Sequence, residues 1–132
     1  MQAQASSDLA YNKRLAKDCL DMIFNQKKPA QAVAKYIGAN YRQHNPDAPD
    51  GSDGVIAYAT PYLKANPDMR LEFKRIIAEG DLVAVHSHLI PNPSDLGRAV
   101  VDIFRVEDHK LVEHWDVMQP VPPKPANQNS MF

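Results

Sequence analysis

Apolar positions change period part-way along the chain, from helical spacing in the first half to alternation in the second. Ala16, Cys19, Leu20, Ile23 and Phe24 recur at three- and four-residue steps, which predicts a helix opening at Ser7 as its cap. Lys13, Lys17 and Asp21 take its polar side. "KKPAQAVAKYIG" reads as a short second helix, with Pro29 in the first turn and Gly38 as the C-terminal stop. "ANYRQHNPDAPDGSDG" is too rich in Pro, Asp, Asn and Gly for more than a short extended run at Tyr41 to His44. A third helix is expected after Ser52, with Val55, Ile56, Ala59, Tyr62 and Leu63 inward and a bend or restart at Pro61.

Beyond Pro67 the period is two. Met69, Leu71 and Phe73 alternate with Arg70, Glu72 and Lys74, "EGD" turns the chain, and "LVAVHSHLI" reads as a mostly buried strand. After the loop "PNPSDLG", the strand "RAVVDIFRV", the tight turn "EDHK" and the strand "LVEHWDVM" complete an antiparallel meander. Helices first and sheet second define an α+β class. One domain over residues 1–118 is expected, followed by a Pro-rich tail, 119–132, that should be extended or mobile.

Two-residue spacing decides which side chains share a strand face. Val112, His114, Asp116 and Met118 fall together, opposite Glu113, Trp115 and Val117. Asp102 sits between Val100 and Phe104, and His86 and His88 share a face with Leu82, Ala84 and Ile90. Three neighbouring strands are thus each expected to carry an ionisable group on an otherwise apolar face. An incompletely filled concave face would form a small-molecule pocket, in which burial raises a carboxylate's pKa and imidazole titrates near neutrality. Asp116, Asp102, His88 and His114 are the candidate catalytic groups, and Trp115, Phe104 and Met118 are grouped with them as substrate-binding, although Trp115 reads first as core. In "YRQHNP", Tyr41, His44 and Asn45 are a second candidate set, with Pro46 keeping Asn45 out of the helical region. The plainer readings are hydrogen-bonded core histidines, a solvated His109 and solvent-facing Glu113.

Bulk properties narrow the partners. A net charge of −1 offers no electrostatic attraction to nucleic acid or an anionic membrane, and no stretch is long and apolar enough for a span. The single cysteine, Cys19, leaves no internal disulfide or paired-cysteine metal site, and with no secretory signal pattern at the N-terminus the expected location is cytoplasmic.

The stretches "YRQHNPDAPDG", "AEGDLVAVHSH", "VDIFRVEDHKLVEHWDVMQPVP" and "NSMF" together resemble the SnoaL-like polyketide cyclases of the nuclear-transport-factor-2-like superfamily. The resemblance implies a cone-shaped α+β barrel, with a strongly curved, mostly antiparallel sheet and three N-terminal helices closing an apolar cavity. It also implies a homodimer and an intramolecular aldol condensation without cofactor. By motif the acid/base matches Asp116, with His88 or His114 stabilising the enolate oxygen. The chain departs in offering Asp102 where the cyclases carry a histidine. The expected function is a cofactor-independent cyclase, isomerase or lyase acting on a small apolar carbonyl compound. The alternatives are a non-catalytic binder of a small apolar ligand and, third, a metal site from His86, His88 and a carboxylate.

Overall fold

A helix begins where a side chain can take its first free amides. The computed structural model describes residues 8–132, and there the cap is Asp8, which accepts from the Tyr11 N–H at 3.1 Å. Helix α1 spans Leu9–Phe24. Ser7, the expected cap, lies outside the described residues. The predicted stripe is buried through Ala16, Cys19, Leu20 and Ile23, with Leu15 beside it. Asn25 then locks the helix end to the sheet, accepting from the Leu71 N–H at 2.8 Å and donating to the Leu71 carbonyl at 3.1 Å.

Helix α2, Pro29–Tyr36, has its proline in the first turn as expected, but no glycine stops it. Ile37 adopts an extended backbone and leads directly into strand β1, Ile37–Gln43. Gly38 lies inside that strand, where a Cβ would stand 3.1 Å from Val112 Cγ1, so it serves close approach between strands. Helix α3, Ser52–Ala65, runs through Pro61 as one helix and buries Val55, Ala59 and Leu63.

Strands β2 (Arg70–Glu79), β3 (Leu82–Ile90), β4 (Arg98–Glu107) and β5 (Lys110–Pro120) form the expected meander. Asp108 and His109 both take positive φ, the backbone a two-residue hairpin turn needs. The sheet order is β1-β5-β4-β3-β2, and β1 joins β5 in parallel while the other pairs are antiparallel. Helix α1 packs against β2, β3 and β5, and α3 against β1, so the helices cover one face.

The register shows which face that is. Val83, Val85, Ser87 and Leu89 of β3 are buried, which sends His86 and His88 to the outer face. A register shift between Phe73 and Arg75 changes parity within β2, so Leu71 faces Leu89 but Ile76 faces Val85, and Ile77 is left 63% exposed outside. The tail folds back. Val121 N–H donates to the Gly97 carbonyl at 2.9 Å, and the Phe132 ring stacks on His88 at 4.2 Å and on His86 at 5.7 Å.

Candidate active site

Residues on opposite positions of antiparallel strands, and on the diagonals two away, share a face within side-chain reach. Asp102 pairs with Asp116 across β4 and β5, and Phe104 with His114. The diagonal brings His114 Nε2 to 2.8 Å from Asp102 Oδ1, with Asp116 Oδ2 at 3.8 Å from the same nitrogen. These three side chains are no more than 9% exposed. They stand in the wall of a cavity of about 730 Å³, its mouth included, between the inner face of the sheet and the helices.

Most of the remaining wall is apolar, with Leu20, Ile23 and Phe24 from α1, Val100 and Phe104 from β4, and Met118 from β5. Tyr58 and Tyr62 line it from α3. A mostly apolar hollow with a few convergent polar groups is the usual form of a small-molecule site. Among the described residues no lysine or arginine lines it, which leaves His114 as the one side chain there that can carry positive charge.

The polar set is completed by the segment Tyr41–Asn45. The Gln43 Oε1 stands 2.7 Å from His114 Nδ1 and accepts the Asn45 N–H at 3.0 Å. Asn45 Nδ2 donates to Asp116 Oδ2 at 3.0 Å, and Asn45 Oδ1 accepts the Asp47 N–H at 2.8 Å. Burial raises the Asp116 carboxyl above its ordinary value; the charges of Asp102 and Asp47 add to this, while His114 and the Asn45 hydrogen bond oppose it. Burial likewise pushes up the Tyr41 phenol, with Cys19, Asp102 and Asp116 adding, so Tyr41 stays an O–H donor. The Cys19 thiol at the cavity wall is pushed up chiefly by burial and stays an S–H group.

The profile of the SnoaL-like domain matches residues 17–114. The chain belongs to the SnoaL-like family. No curated protein matches it. Among solved structures it is similar to AclR, a candidate hydroxylase from Streptomyces galilaeus, at 25% identity and TM-score 0.71, covering 85% of this chain and 91% of the other. A candidate polyketide cyclase from Bacillus cereus ATCC 10987 aligns at 20% identity and TM-score 0.71 over 82% of this chain and 74% of its own. A candidate ketosteroid isomerase from Kribbella flavida DSM 17836 aligns at 17% and 0.71, over 92% and 87%. The shared architecture is the α+β cone of this superfamily.

Within this SnoaL-like cone, the structure brings Asp102, His114, Asp116, Tyr41, Asn45, Phe104 and Met118 to one cavity. Three expected members are elsewhere. His88 points outward, its Nε2 2.8 Å from the Leu96 carbonyl oxygen, because β3 buries the Val83–Val85–Ser87–Leu89 parity. His44 is also outside: its Nε2 lies 2.7 Å from Glu113 Oε2, and its ring stacks on Trp115 at 4.9 Å and 6°. Trp115 shares that outer face, since it alternates with the inward His114 and Asp116. The contact spends both rings on holding the 44–50 loop to β5. Glu113 is tied to Arg105 as well, at 2.9 Å, and these bonds hold its carboxyl below the usual range.

The expected pairing of His86 and His88 with a pocket carboxylate fails for the same reason of parity. Asp102, His114 and Asp116 offer donor atoms within 4.8 Å of one another and are the residues that could hold a metal ion among the described ones. Gln43, Tyr58 and Tyr62 join the site without having been singled out. For Gln43 the available signal was its shared parity with Tyr41 and Asn45.

Proposed function

We propose that this protein is a cofactor-independent acid/base enzyme of the cyclase or isomerase type, acting on a small, neutral, apolar carbonyl compound. The observation that carries the reading is the Asp102–His114–Asp116 group in the wall of an otherwise apolar cavity. A carboxylate with a raised pKa beside a hydrogen-bonded imidazole can remove a proton and stabilise the oxygen that becomes charged. Asp116 takes a proton from the carbon next to the carbonyl; the C–H electrons form the enolate C=C bond, and the charge moves to oxygen. The proton between His114 Nε2 and Asp102, together with the phenol of Tyr41 in the cavity wall, supplies the donors for that oxygen. In an isomerisation the proton returns from Asp116 to another carbon of the conjugated system. In a cyclisation the enolate carbon attacks a second carbonyl of the same molecule, and the new alkoxide takes the proton. Similarity to structures described as a candidate cyclase and a candidate isomerase supports this class of chemistry.

The test uses 2-tetralone, an apolar ring ketone, in deuterated water. The protein should accelerate exchange of its α-hydrogens, and Asp116→Asn should lower that acceleration about 10²–10⁴-fold while retaining ligand binding. Binding of the ketone with no exchange above buffer in either form would leave a non-catalytic binding pocket as the better account.

A further inference from the structure

The positions of the protons in this cavity can be read from the backbone. An amide side chain presents a carbonyl oxygen that accepts and an NH₂ that donates, and the hydrogen-bond network assigns which is which. Gln43 and Asn45 each place one end against a main-chain N–H: Asn45 N–H for Gln43 and Asp47 N–H for Asn45. A main-chain N–H only donates, so the atoms facing these two are the oxygens. Both amides are thereby oriented from outside the ionisable group.

Two consequences follow for the ionisable residues. The Gln43 oxygen is also 2.7 Å from His114 Nδ1, so Nδ1 carries a hydrogen. The ring's other nitrogen, Nε2, then either holds a second hydrogen or presents a bare lone pair to Asp102 Oδ1 at 2.8 Å and Asp116 Oδ2 at 3.8 Å. A lone pair facing an acceptor oxygen at 2.8 Å is repulsive, so one proton lies between Nε2 and Asp102. The nitrogen end of Asn45 meets Asp116 Oδ2 at 3.0 Å, which keeps that oxygen an acceptor.

We propose that Gln43 is a positioning residue that holds a hydrogen on Nδ1 of His114, so that Nε2 and Asp102 share the proton offered to a ligand oxygen, while Asn45 reserves Asp116 Oδ2 for accepting one. The acid and the base of the site are therefore separated by two amides that never exchange a proton themselves. In metal and hydrolase sites a histidine's working nitrogen is oriented in the same way, by the bond its other nitrogen makes. The catalytic meaning of this arrangement rests on the function proposed above, but the proton positions do not.

The experiment is long-range ¹H–¹⁵N correlation of the imidazole nitrogens in the ¹⁵N-labelled full chain near neutral pH. In the parent protein His114 Nδ1 should resonate as a protonated nitrogen. Gln43→Leu, which removes the acceptor, should move Nδ1 toward the unprotonated position as the hydrogen settles on Nε2 alone. Gln43→Glu, which keeps an acceptor oxygen there, should preserve the parent pattern. A purely structural role for Gln43 would alter stability without moving these resonances. An unprotonated Nδ1 in the parent, or a Gln43→Leu spectrum identical to it, would overturn the proposal. The parent spectrum is informative even if Gln43→Leu does not fold. A protonated Nδ1 that responds to Gln43→Leu, found together with no 2-tetralone exchange, would refute the proposed activity and leave this inference standing.

Discussion

Replacing His114 by leucine should damage the fold far more than a surface histidine would, because of what it leaves behind. Asp102 is 6% exposed and pairs with His114 at 2.8 Å; Asp116 stands opposite it in the register. Without the imidazole two carboxyl groups face one another in an apolar wall. Breaking a buried pair on one side costs about 3–5 kcal/mol, since the remaining charge loses its partner. With a urea m-value of ~1–3 kcal/mol/M for a domain of this size, the unfolding midpoint should fall by roughly 2 M. Asp102→Leu should cost less, about 1–3 kcal/mol, because His114 keeps Asp116 at 3.8 Å and the Gln43 oxygen at 2.7 Å. The double leucine variant removes both partners and replaces them with apolar groups. It should be more stable than His114→Leu alone by about 1 kcal/mol, so that its loss falls short of the sum of the two single losses by about 3 kcal/mol, a coupling at the upper end of what contacting residues show. Equilibrium urea unfolding of the four proteins gives the cycle directly. Strict additivity, with the double variant losing the sum of the two single losses, would show that the pair is not coupled and that this reading of the wall is wrong.

Three further outcomes are expected. Burial raises Asp116's pKa, so its ionisation works against the fold: the stabilising contribution of its proton is complete below the unfolded value of about 4 and is lost as pH rises through the raised one. Asp116→Asn should therefore be more stable than the parent at pH 7, and urea midpoints should converge below pH ~4; a gap that widens on acidification would contradict the shift. A Cβ at Gly54 would lie 2.0 Å from the Pro49 carbonyl oxygen, so Gly54→Ala should cost about 1–3 kcal/mol in thermal unfolding and displace the loop that carries Asn45. Phe132→Ala should cost about 0.5–1.5 kcal/mol and shift the His88 ring-proton resonances; unchanged His88 signals would mean the tail does not rest on β3 in solution.

The helices, the meander and the paired acidic positions were legible along the chain because each rests on local periodicity. Two-residue spacing puts Asp102 with Val100 and Phe104 on one face of β4 and His114 with Asp116 and Met118 on one face of β5, and the short turn between these strands makes them neighbours. Strand β3 is ambiguous in parity. Leu82, Ala84 and Ile90 on one parity compete with Val83, Val85 and Leu89 on the other, and His86 and His88 were assigned to the wrong side.

What separates the two parities of β3 is pairing with β2 and β4, including the register shift at Phe73–Arg75, and that is a contact between distant parts of the chain. The same holds for Gln43. Its side chain reaches His114 only because β1 joins β5 in parallel, across a register shift between Ile37 and Arg42 that no local pattern encodes. Gly38 read as a helix stop from its neighbours and proved to be the place where two strands approach. Sequence by itself thus determined which segments are helix or strand and that two aspartates and a histidine would share a face, since propensity and parity act over a few residues. Tertiary structure alone decided which face of β3 is inside, that His44 and Trp115 clamp a loop from the outer surface, and which amide orients the imidazole, since each depends on register between segments that meet only when the sheet has closed.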